Sequence, residues 1–354
     1  MLQDKINLIT SSRHHFIPSH ILYADDVLIF CKGKLSSVHA LKDLFIRYAN
    51  CSGQYINPSK STIYYGSIST GRLNHLVNLL GFKTGCLPFN YLGVPIFKGK
   101  PKSSYLQPIA DRIKLKFSSW RAASLSIAGR ILLVKFVIHS MLVHSISVYS
   151  WPSALLKDID RWSKNFIWSG DVNKRKMVIV AGHKICKPYD QGGLGIRSLT
   201  TLNEATNLKL SWDMLNSSEP WAISLKSKAI KNRKPISHHI FSSIWSSVKN
   251  DYSKLVDNST WLLGTSENIK FWLDSWCGEP LANRFNLPVN AATHLSSNVK
   301  DFISEYNWSI PTSVQIQFPQ LQSILMKTTI PRVHIEDRLV WKDSSTGGLS
   351  LKDA

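Results

Sequence analysis

Hydrophobic and polar positions change their spacing along the chain, and the spacing predicts the elements. Two short apolar runs, Ile17–Tyr23 and Val27–Cys31, flank Ala24-Asp25-Asp26 and predict a β-hairpin with an acidic tip. Apolar residues at helical spacing then predict a helix over Leu35–Tyr48, capped by Ser36 or Ser37.

Short segments separated by turn signals follow this helix up to Phe97. They predict strands at Gln54–Asn57 and Ser61–Tyr65 around the turn Pro58-Ser59-Lys60, a helix at Leu73–Leu80 closed by Gly81, and an edge strand or tight hairpin at Tyr91–Phe97. Residues 1–100 therefore alternate strands and helices, and the fold class they predict is α+β.

The spacing becomes helical beyond Pro101. It predicts helices at Tyr105–Trp120, Ser126–Tyr149 and Ala154–Trp168, and another at Leu199–Leu215 after a glycine-rich connector at 191–195. The stretch Ile131–Tyr149 has the length of a membrane span, but Lys135, two histidines and three serines interrupt it. We expect a buried helix there and no membrane partner. From Trp221 onward the helical signal weakens.

Charge separates the first two hundred residues from the rest. The 354 residues carry 43 basic and 23 acidic side chains, a net charge of +20, and this surplus favours a polyanionic partner such as nucleic acid. Residues 1–100 hold 11 basic and 4 acidic side chains, residues 101–200 hold 16 and 5, and residues 201–354 hold 16 and 14. All 12 tryptophans lie at or after Trp120. At least two compositionally different regions are joined.

The cysteines and histidines of the sequence do not indicate a metal site. The five cysteines are odd in number and include no Cys-x-x-Cys pair, which argues against a disulfide framework and fits a reducing compartment. His238-His239 and these cysteines lack the spacing of zinc ligands, so the sequence predicts no zinc site.

Tyr23-Ala24-Asp25-Asp26 is the most specific chemical feature, and it has two readings. Aspartates are common in turns because their side chains bond nearby main-chain groups. Alternatively, carboxylates at a hairpin tip hold Mg²⁺, a hard cation that takes carboxylate and phosphate oxygens, as in two-metal nucleotidyl transfer.

The surrounding series of motifs resembles the polymerases of plant non-LTR (LINE-type) retrotransposons, which are reverse transcriptases. The resemblance rests on Tyr23–Asp26 between apolar strands, then Ser52-Gly53-Gln54, Asn57 and Lys60-Ser61, Phe89–Pro95, Trp120 with Ser126–Arg130, Phe166–Gly170, Gly192–Ile196, Phe271–Trp276, Trp341–Asp343 and Gly348–Lys352. It covers nearly the whole chain, and the ordered series is far more specific than any single motif.

The resemblance implies roles for individual residues. Asp25 would bind Mg²⁺, Asp26 would be a weaker ligand, and Tyr23 would pack near the primer end. Lys60 would assist pyrophosphate departure or would be an ordinary turn lysine. Tyr91 and Gly93 would shape the primer grip, although Gly93 could equally be a tight-turn glycine.

The same resemblance implies a domain order. Residues 1–100 would be the C-terminal part of a reverse-transcriptase palm, residues 101–215 a basic helical thumb and connector, residues 216–335 a tryptophan-rich linker, and residues 336–354 the start of a zinc-binding module. Family members have an earlier aspartate-bearing strand and fingers. Asp4 lies too close to Asp25 to stand on that strand, so we expect the chain to start within the palm.

The basic helices are the second candidate site. Their cations (Lys114, Lys116, Arg121, Arg130 and Lys135) accompany the aromatic residues Phe117 and Trp120. Cations near aromatic rings suit contacts to a nucleic-acid backbone. The alternative is a solvated helix face, and for Phe117 and Trp120 the core reading is favoured.

The resulting hypothesis is a truncated RNA-directed DNA polymerase that uses Mg²⁺, an RNA template and a DNA primer or target, inside the cell and in the nucleus. A missing upstream palm and fingers segment would be its further partner. The alternatives are a non-catalytic nucleic-acid-binding protein or a decayed retroelement product. Alone, the chain is expected to be inactive.

Overall fold

The structure of the protein is a computed structural model. It describes residues 6–9, 17–176, 186–231, 234–238, 240–288 and 296–354. Its α+β class is confirmed, with helices as the main element and small sheets. The chain forms two compact units: residues 1–200 with 217–246, and residues 201–216 with 247–354. Asp4 and His239 lie outside the described residues.

Unit 1 (residues 1–200 with 217–246) begins with small strands and two helices. These are β1 (His20–Tyr23), β2 (Asp26–Ile29), α1 (Leu35–Ser52), β3 (Thr62–Tyr64), α2 (Thr70–Leu80), β4 (Lys83–Gly85), β5 (Phe89–Tyr91) and β6 (Val94–Ile96). β1–β2 and β5–β6 are antiparallel hairpins, and β3 pairs with β4 in parallel across α2. The predicted acidic hairpin and both predicted helices are confirmed, and of the two alternatives for Tyr91–Phe97, an edge strand or a tight hairpin, the structure shows the hairpin.

Serine capping of α1 is a wrong prediction. Lys34 occupies the N-cap without a side-chain bond, and Ser37 is fully buried. The Ser37 hydroxyl accepts hydrogen bonds from the Asn7 main-chain N–H (3.0 Å) and side-chain amide (3.1 Å). Asn7 lies next to Leu8, which bridges to Cys31 beyond β2, so Ser37 ties the start of the chain to α1.

The strand predicted at Gln54–Asn57 is also wrong, because these residues form the exit of α1 and the start of a turn. Gly53, with φ 70°, ends the helix in the left-handed region that glycine adopts without strain. The Asn57 side chain accepts hydrogen bonds from the main-chain N–H and hydroxyl of Ser59. Local polar bonds therefore replace a strand ladder.

The helical part of unit 1 has a continuous core. Its elements are α3 (Ser103–Ser119), a 3₁₀ turn (Ala122–Ser124), α4 (Ile127–Leu133), a π turn (Val134–Ile138), α5 (His139–Val148) and α6 (Ser153–Ser169). α3 and α4 both pack on α6. Phe117 is 1% exposed and Trp120 is half-buried, and their rings lie 5.1 and 5.5 Å from Phe166, which confirms the core reading for both.

The run Ile127–Val148 is long and apolar enough to cross a membrane by length and composition, a test that core helices of soluble proteins also pass. One face is buried in the core of unit 1, through Ile131, Val134, Ile138, Leu142 and Ile146. The opposite face exposes Leu132, Phe136 and Val143. The predicted buried helix is therefore half correct.

Past α6, unit 1 contains a 3₁₀ turn (Tyr189–Gln191), α8 (Pro220–Ala229) and the short pair β7 (Ile230–Lys231) and β8 (Lys234–Pro235). The helix α7 (Leu199–Asn216) precedes α8, and most of α7 belongs to unit 2. Helix α8 was not expected, because only Ala222, Leu225 and Ala229 are buried on it, and alanines give a weak hydrophobic pattern.

Unit 2 (residues 201–216 with 247–354) combines most of α7 with another long helix, several short helices and small strands. The further elements are α9 (Trp245–Asp257), β9 (Ser259–Leu262), α10 (Leu281–Arg284), a 3₁₀ turn (Val299–Phe302), β10 (Ile303–Ser304), β11 (Asn307–Trp308), α11 (Thr312–Gln317), α12 (Leu321–Leu325) and β12 (Arg338–Trp341). β12 pairs antiparallel with β9, so the end of the chain folds with this unit.

The motif Phe271–Trp276 forms the centre of the larger core of unit 2. Phe271 and Trp272 are 0% and 2% exposed, and the Trp276 indole donates to the Phe271 carbonyl (2.8 Å). The Asp274 carboxylate accepts from the Lys270 main-chain N–H (2.6 Å). This motif is therefore explained by packing and turn formation.

Candidate nucleic-acid interface

The acidic hairpin has a two-residue turn made by Ala24 and Asp25. Tyr23 pairs with Asp26 as the last rung of the ladder, so Asp25 lies in the turn and Asp26 begins β2. Ala24 has φ 50°, a left-handed conformation that costs alanine roughly 1 kcal/mol. Strained turns of this kind persist where the surrounding structure requires them, and they are common at functional sites.

The hairpin tip is exposed on both faces of its two-stranded sheet. Leu22, Tyr23 and Val27 are 63%, 61% and 51% exposed, and both aspartates are exposed. Among the described residues, neither carboxylate has a hydrogen bond or an ion pair, and no group of three or more His, Cys, Asp or Glu side chains could hold a metal ion. In the part of the chain that the structure describes, the tip offers two carboxylates and no third.

The segment Ser52–Ser61 has a local structural role for each of its motif residues. Ser52 accepts from the Gln54 main-chain N–H (3.1 Å), and the Tyr48 hydroxyl donates to the Gln54 side chain (2.7 Å). The Asn57 carbonyl accepts from the N–H of Lys60 (3.2 Å). Turn formation therefore accounts for the backbone here and leaves the exposed Lys60 ammonium available.

The predicted primer-grip residues sit on the second hairpin, β5–β6. Leu92 (φ 50°) and Gly93 (φ 80°) form its turn, and the left-handed conformation explains the glycine without a ligand. The Tyr91 hydroxyl is buried and lacks a hydrogen-bond partner among the described residues. Beyond β6, Phe97 stacks on Tyr105 of α3 (4.9 Å between ring centroids), which joins this hairpin to the helices.

Three predicted cations lie on or beside α3. The Lys114 ammonium is half-buried over the Trp162 ring (5.4 Å), and that of Lys116 is exposed over the Trp120 ring (5.8 Å). Arg121 is exposed, and no ion pair to it is found in the described part of the chain. Lys116 and Arg121 are thus placed to contact phosphates.

Arg130 is placed differently from these cations. Its guanidinium donates to the carbonyls of Ala122 (3.0 Å) and Ile167 (3.2 Å), and it is half-buried. Ile167 lies in the last turn of α6, where carbonyls lack helical partners and attract cations. The structure therefore gives Arg130 a role inside unit 1, independent of any ligand.

Lys135 is one of three basic side chains brought together in unit 1. Its ammonium lies 5.2 Å from the Tyr189 ring. The other two basic side chains are Arg197 and the buried His139. Burial, together with the charges of Arg197 and Lys135, lowers the pKa of His139 to about 4. Gly195 (φ 62°) permits the approach of Tyr189, since a side chain at position 195 would collide with the Tyr189 ring. Sequence reasoning missed Tyr189 and Arg197, for which no spacing signal exists.

The candidate residues fall into separate groups. Within the described residues, the contacts join Lys114 and Lys116 to the aromatic core of the helices, whereas no hydrogen bond or ion pair links them to Asp25 or Asp26. The arrangement can attract phosphates over the helices and can offer two carboxylates at the hairpin.

Comparisons with known proteins point to plants. The chain is 28% identical over 275 residues to a protein of Arabidopsis thaliana named "Putative ribonuclease H protein", across 74% of this chain and 44% of that protein. It is 29% identical over 143 residues to an "Uncharacterized mitochondrial protein" of the same plant, across 38% of this chain and 90% of that protein. No family model matches the chain.

The first relative is much longer than the matched segment. The chain spans less than half of that protein's length. Both relatives are plant proteins of a kind typical of retroelements.

Proposed function

We propose that this chain is the palm-to-thumb part of a plant retroelement reverse transcriptase, which binds an RNA template and a DNA primer or target. The single observation that carries the proposal is the exposed hairpin Tyr23–Asp26, followed in order by the second hairpin and the basic helices. The name of the first relative, a ribonuclease H protein, supports a nucleic-acid partner.

Mg²⁺ is the metal this proposal implies, and the donors fit it in part. Asp25 and Asp26 supply the carboxylate oxygens that a hard cation takes, and Mg²⁺ is commonly held by one or two carboxylates together with substrate phosphates. When bound, the ion would neutralise charge on the phosphates. Two such ions require carboxylates that bridge them, and the described residues offer no third carboxylate at the tip.

Nucleic-acid binding without polymerisation is the second candidate function. The same absence of a third carboxylate among the described residues favours it for this chain alone. In the first proposal, a further carboxylate and the fingers come from a segment outside this chain. Both candidates share the basic helices as the phosphate-binding surface.

Salt-dependent binding tests the shared part of the proposal. Phosphate contacts release counterions, so the logarithm of the association constant for an RNA–DNA hybrid should fall linearly with log[salt], with a slope of about −0.9 per phosphate contact for a duplex. The variant Lys116→Gln/Arg121→Gln should reduce this slope by about 1–2. Binding is measured by fluorescence anisotropy across a salt series.

The matched control is Lys254→Gln, which removes a cation from unit 2 at an i,i+3 pair with Asp251. Its slope should equal that of the parent. If the α3 variant and the parent have equal slopes, the helical face is only solvated, and the thumb assignment is wrong.

A further inference from the structure

Unit 2 contains a pocket that the proposed function does not use. Its volume is about 440 Å³, within the range of roughly 300–1,000 Å³ typical of small-ligand sites. It lies beside β9 and α12, and its walls include Trp261, Trp276, Cys277, Arg284, Lys327 and Thr329. None of its lining residues is acidic.

The aromatic wall is held rigidly by the core of unit 2. The Trp276 ring packs between Phe271 and Trp308, with both centroid distances 5.3 Å, and it is 4% exposed. The Trp261 main-chain N–H donates to the Ser275 carbonyl (2.6 Å), which fixes β9 against the turn segment that contains Ser275. Trp261 is half-buried and lines the pocket.

The two cations of the pocket are exposed and unopposed. Arg284 is the last residue of α10 and Lys327 follows α12, and neither forms an ion pair within the described residues. A guanidinium and an ammonium from the lining of one pocket favour an anion, and a guanidinium matches phosphate geometry. Hydroxyls of Ser323, Thr328 and Thr329 also line the pocket and can bond a sugar.

The Cys277 thiol in the pocket is not suited to nucleophilic catalysis or to metal binding. Burial raises the pKa of Cys277 to about 11, against a smaller opposite effect from Arg284, so at neutral pH the thiol is protonated. A protonated thiol is a poor nucleophile and a poor metal ligand. The pocket therefore has the chemistry of a binding site, not of a catalytic cysteine.

We infer that this pocket binds a nucleotide unit, with the base against Trp261 and the phosphate held by Arg284 and Lys327. Stacking of a base on an aromatic side chain contributes about 1–3 kcal/mol, and cations supply the remaining attraction. The shared chemistry is a nucleobase joined to a phosphate, which is found in a free nucleotide and in a single strand. The site lies in unit 2 and is independent of the acidic hairpin.

Protection of Cys277 from alkylation tests this inference on the full chain. N-ethylmaleimide labelling at pH 8.5 is run in excess reagent and over a long time course, because only a small fraction of Cys277 is thiolate at that pH. It is followed by peptide mass spectrometry, with the exposed Cys51 in unit 1 as the internal control. Adenosine monophosphate or a short oligoadenylate should slow labelling of Cys277 several-fold and leave Cys51 unchanged. Protection by the monophosphate alone identifies a free nucleotide, and protection by the oligomer alone identifies a strand.

Two exposed variants make the test specific. Arg284→Gln should weaken protection about tenfold in ligand concentration, the equivalent of 1.4 kcal/mol. Lys254→Gln should leave protection as in the parent, because Lys254 is not part of the pocket. The inference is overturned if neither nucleotide slows labelling, if inorganic phosphate or benzoate protects equally well, or if both variants behave alike. None of these outcomes depends on hybrid binding by α3.

Discussion

Arg130 shows how a single side chain can hold two segments together. Its guanidinium reaches the carbonyls of Ala122 and Ile167, which are 45 positions apart in the chain. Replacing Arg130 leaves both carbonyls without their charged donor. Hydrogen bonds to charged groups contribute about 1.5–3 kcal/mol to stability. Arg130→Ala should therefore lower the free energy of unfolding by about 1–3 kcal/mol, measured by urea denaturation.

The matched change is Arg121→Ala, because Arg121 is exposed. This variant should unfold at the urea concentration of the parent. Equal midpoints for the two variants would show that the Arg130 hydrogen bonds contribute nothing. Because Arg130→Ala perturbs the fold, its effect on nucleic-acid binding is a poor test of phosphate contact, and Lys116 with Arg121 is the better pair.

Asp160 makes the stability of unit 1 depend on pH. Burial raises the pKa of its carboxyl from 3.8 to about 6, although Lys164 and a hydrogen bond from the Leu199 N–H oppose the change. Between these two values the folded state binds the proton more tightly than the unfolded state. This contribution therefore stabilises the fold as pH falls from about 7 towards 4 and destabilises it at higher pH.

Asp160→Asn removes the cost of the buried charge and keeps an oxygen for the Leu199 N–H. At pH 7.5 the variant should be more stable than the parent by on the order of 1–2 kcal/mol, and the difference should vanish near pH 4. Urea midpoints at several pH values measure it. A constant difference across this range would rule out titration of Asp160 as the cause.

At the scale of elements, the acidic hairpin is expected to be the least protected part of unit 1. A two-stranded hairpin is marginally stable by itself, and β1–β2 leaves Leu22 and Val27 mostly exposed. Its amides should exchange with solvent far faster than those of α6, whose Phe166 is 1% exposed. Hydrogen exchange followed by mass spectrometry measures the difference.

Equal protection in the hairpin and α6 would contradict this expectation, and it would mean that another surface covers the hairpin in solution. A nucleic-acid or protein partner that covers Leu22 and Val27 should raise protection there. The β5–β6 hairpin serves as the reference for hydrogen exchange, because its Val94 is buried and only 4% exposed.

Which elements the sequence predicted depended on how much of each element's pattern is local. The helices α3 and α6 have broad apolar faces, so periodicity located them within a few residues. Helix α9 has Trp245, Val248 and Leu255 buried among serines and lysines, and that spacing alone was too sparse to predict it.

The candidate site divides in the same way. The hairpin tip and its turn follow from local sequence, because alternation and acidic turn residues are readable signals. The partners of Ser37 and Arg130 are 30 and up to 37 residues away, and such contacts leave no spacing pattern. Tyr189 and Arg197 approach Lys135 only through the tertiary fold. The roles of Asp25, Asp26 and Lys60 remain predictions.

On the scale of the whole molecule, charge and chemistry are distributed unevenly. Residues 101–200 carry 16 basic and 5 acidic side chains, whereas the two hairpin carboxylates lie within residues 1–100. The basic helices can therefore bind a polyanion without any contribution from Asp25 or Asp26. The proposed binding and the proposed polymerisation therefore rest on different residues, and each has its own measurement.

The chain alone is expected to bind hybrid and not to extend a primer. Asp25 lies in the turn and Asp26 in the first position of β2, and no third carboxylate joins them among the described residues. Two ions roughly 3.5–4 Å apart require bridging carboxylates, and Mg²⁺ dehydrates reluctantly, so this tip should hold at most one ion weakly.

The measurement is primer extension on an RNA template with purified chain, Mg²⁺ and all four deoxynucleotides, beside an Asp25→Asn control. We expect no template-dependent product from either protein, while both bind the hybrid equally, because Asp25 is separate from the basic helices. Extension by the parent that disappears in Asp25→Asn would overturn the prediction. Two adjacent aspartates at one turn direct their side chains apart and are poorly placed to bridge two ions. That result would therefore point to a further carboxylate of this chain that approaches Asp25 once nucleic acid and Mg²⁺ are bound.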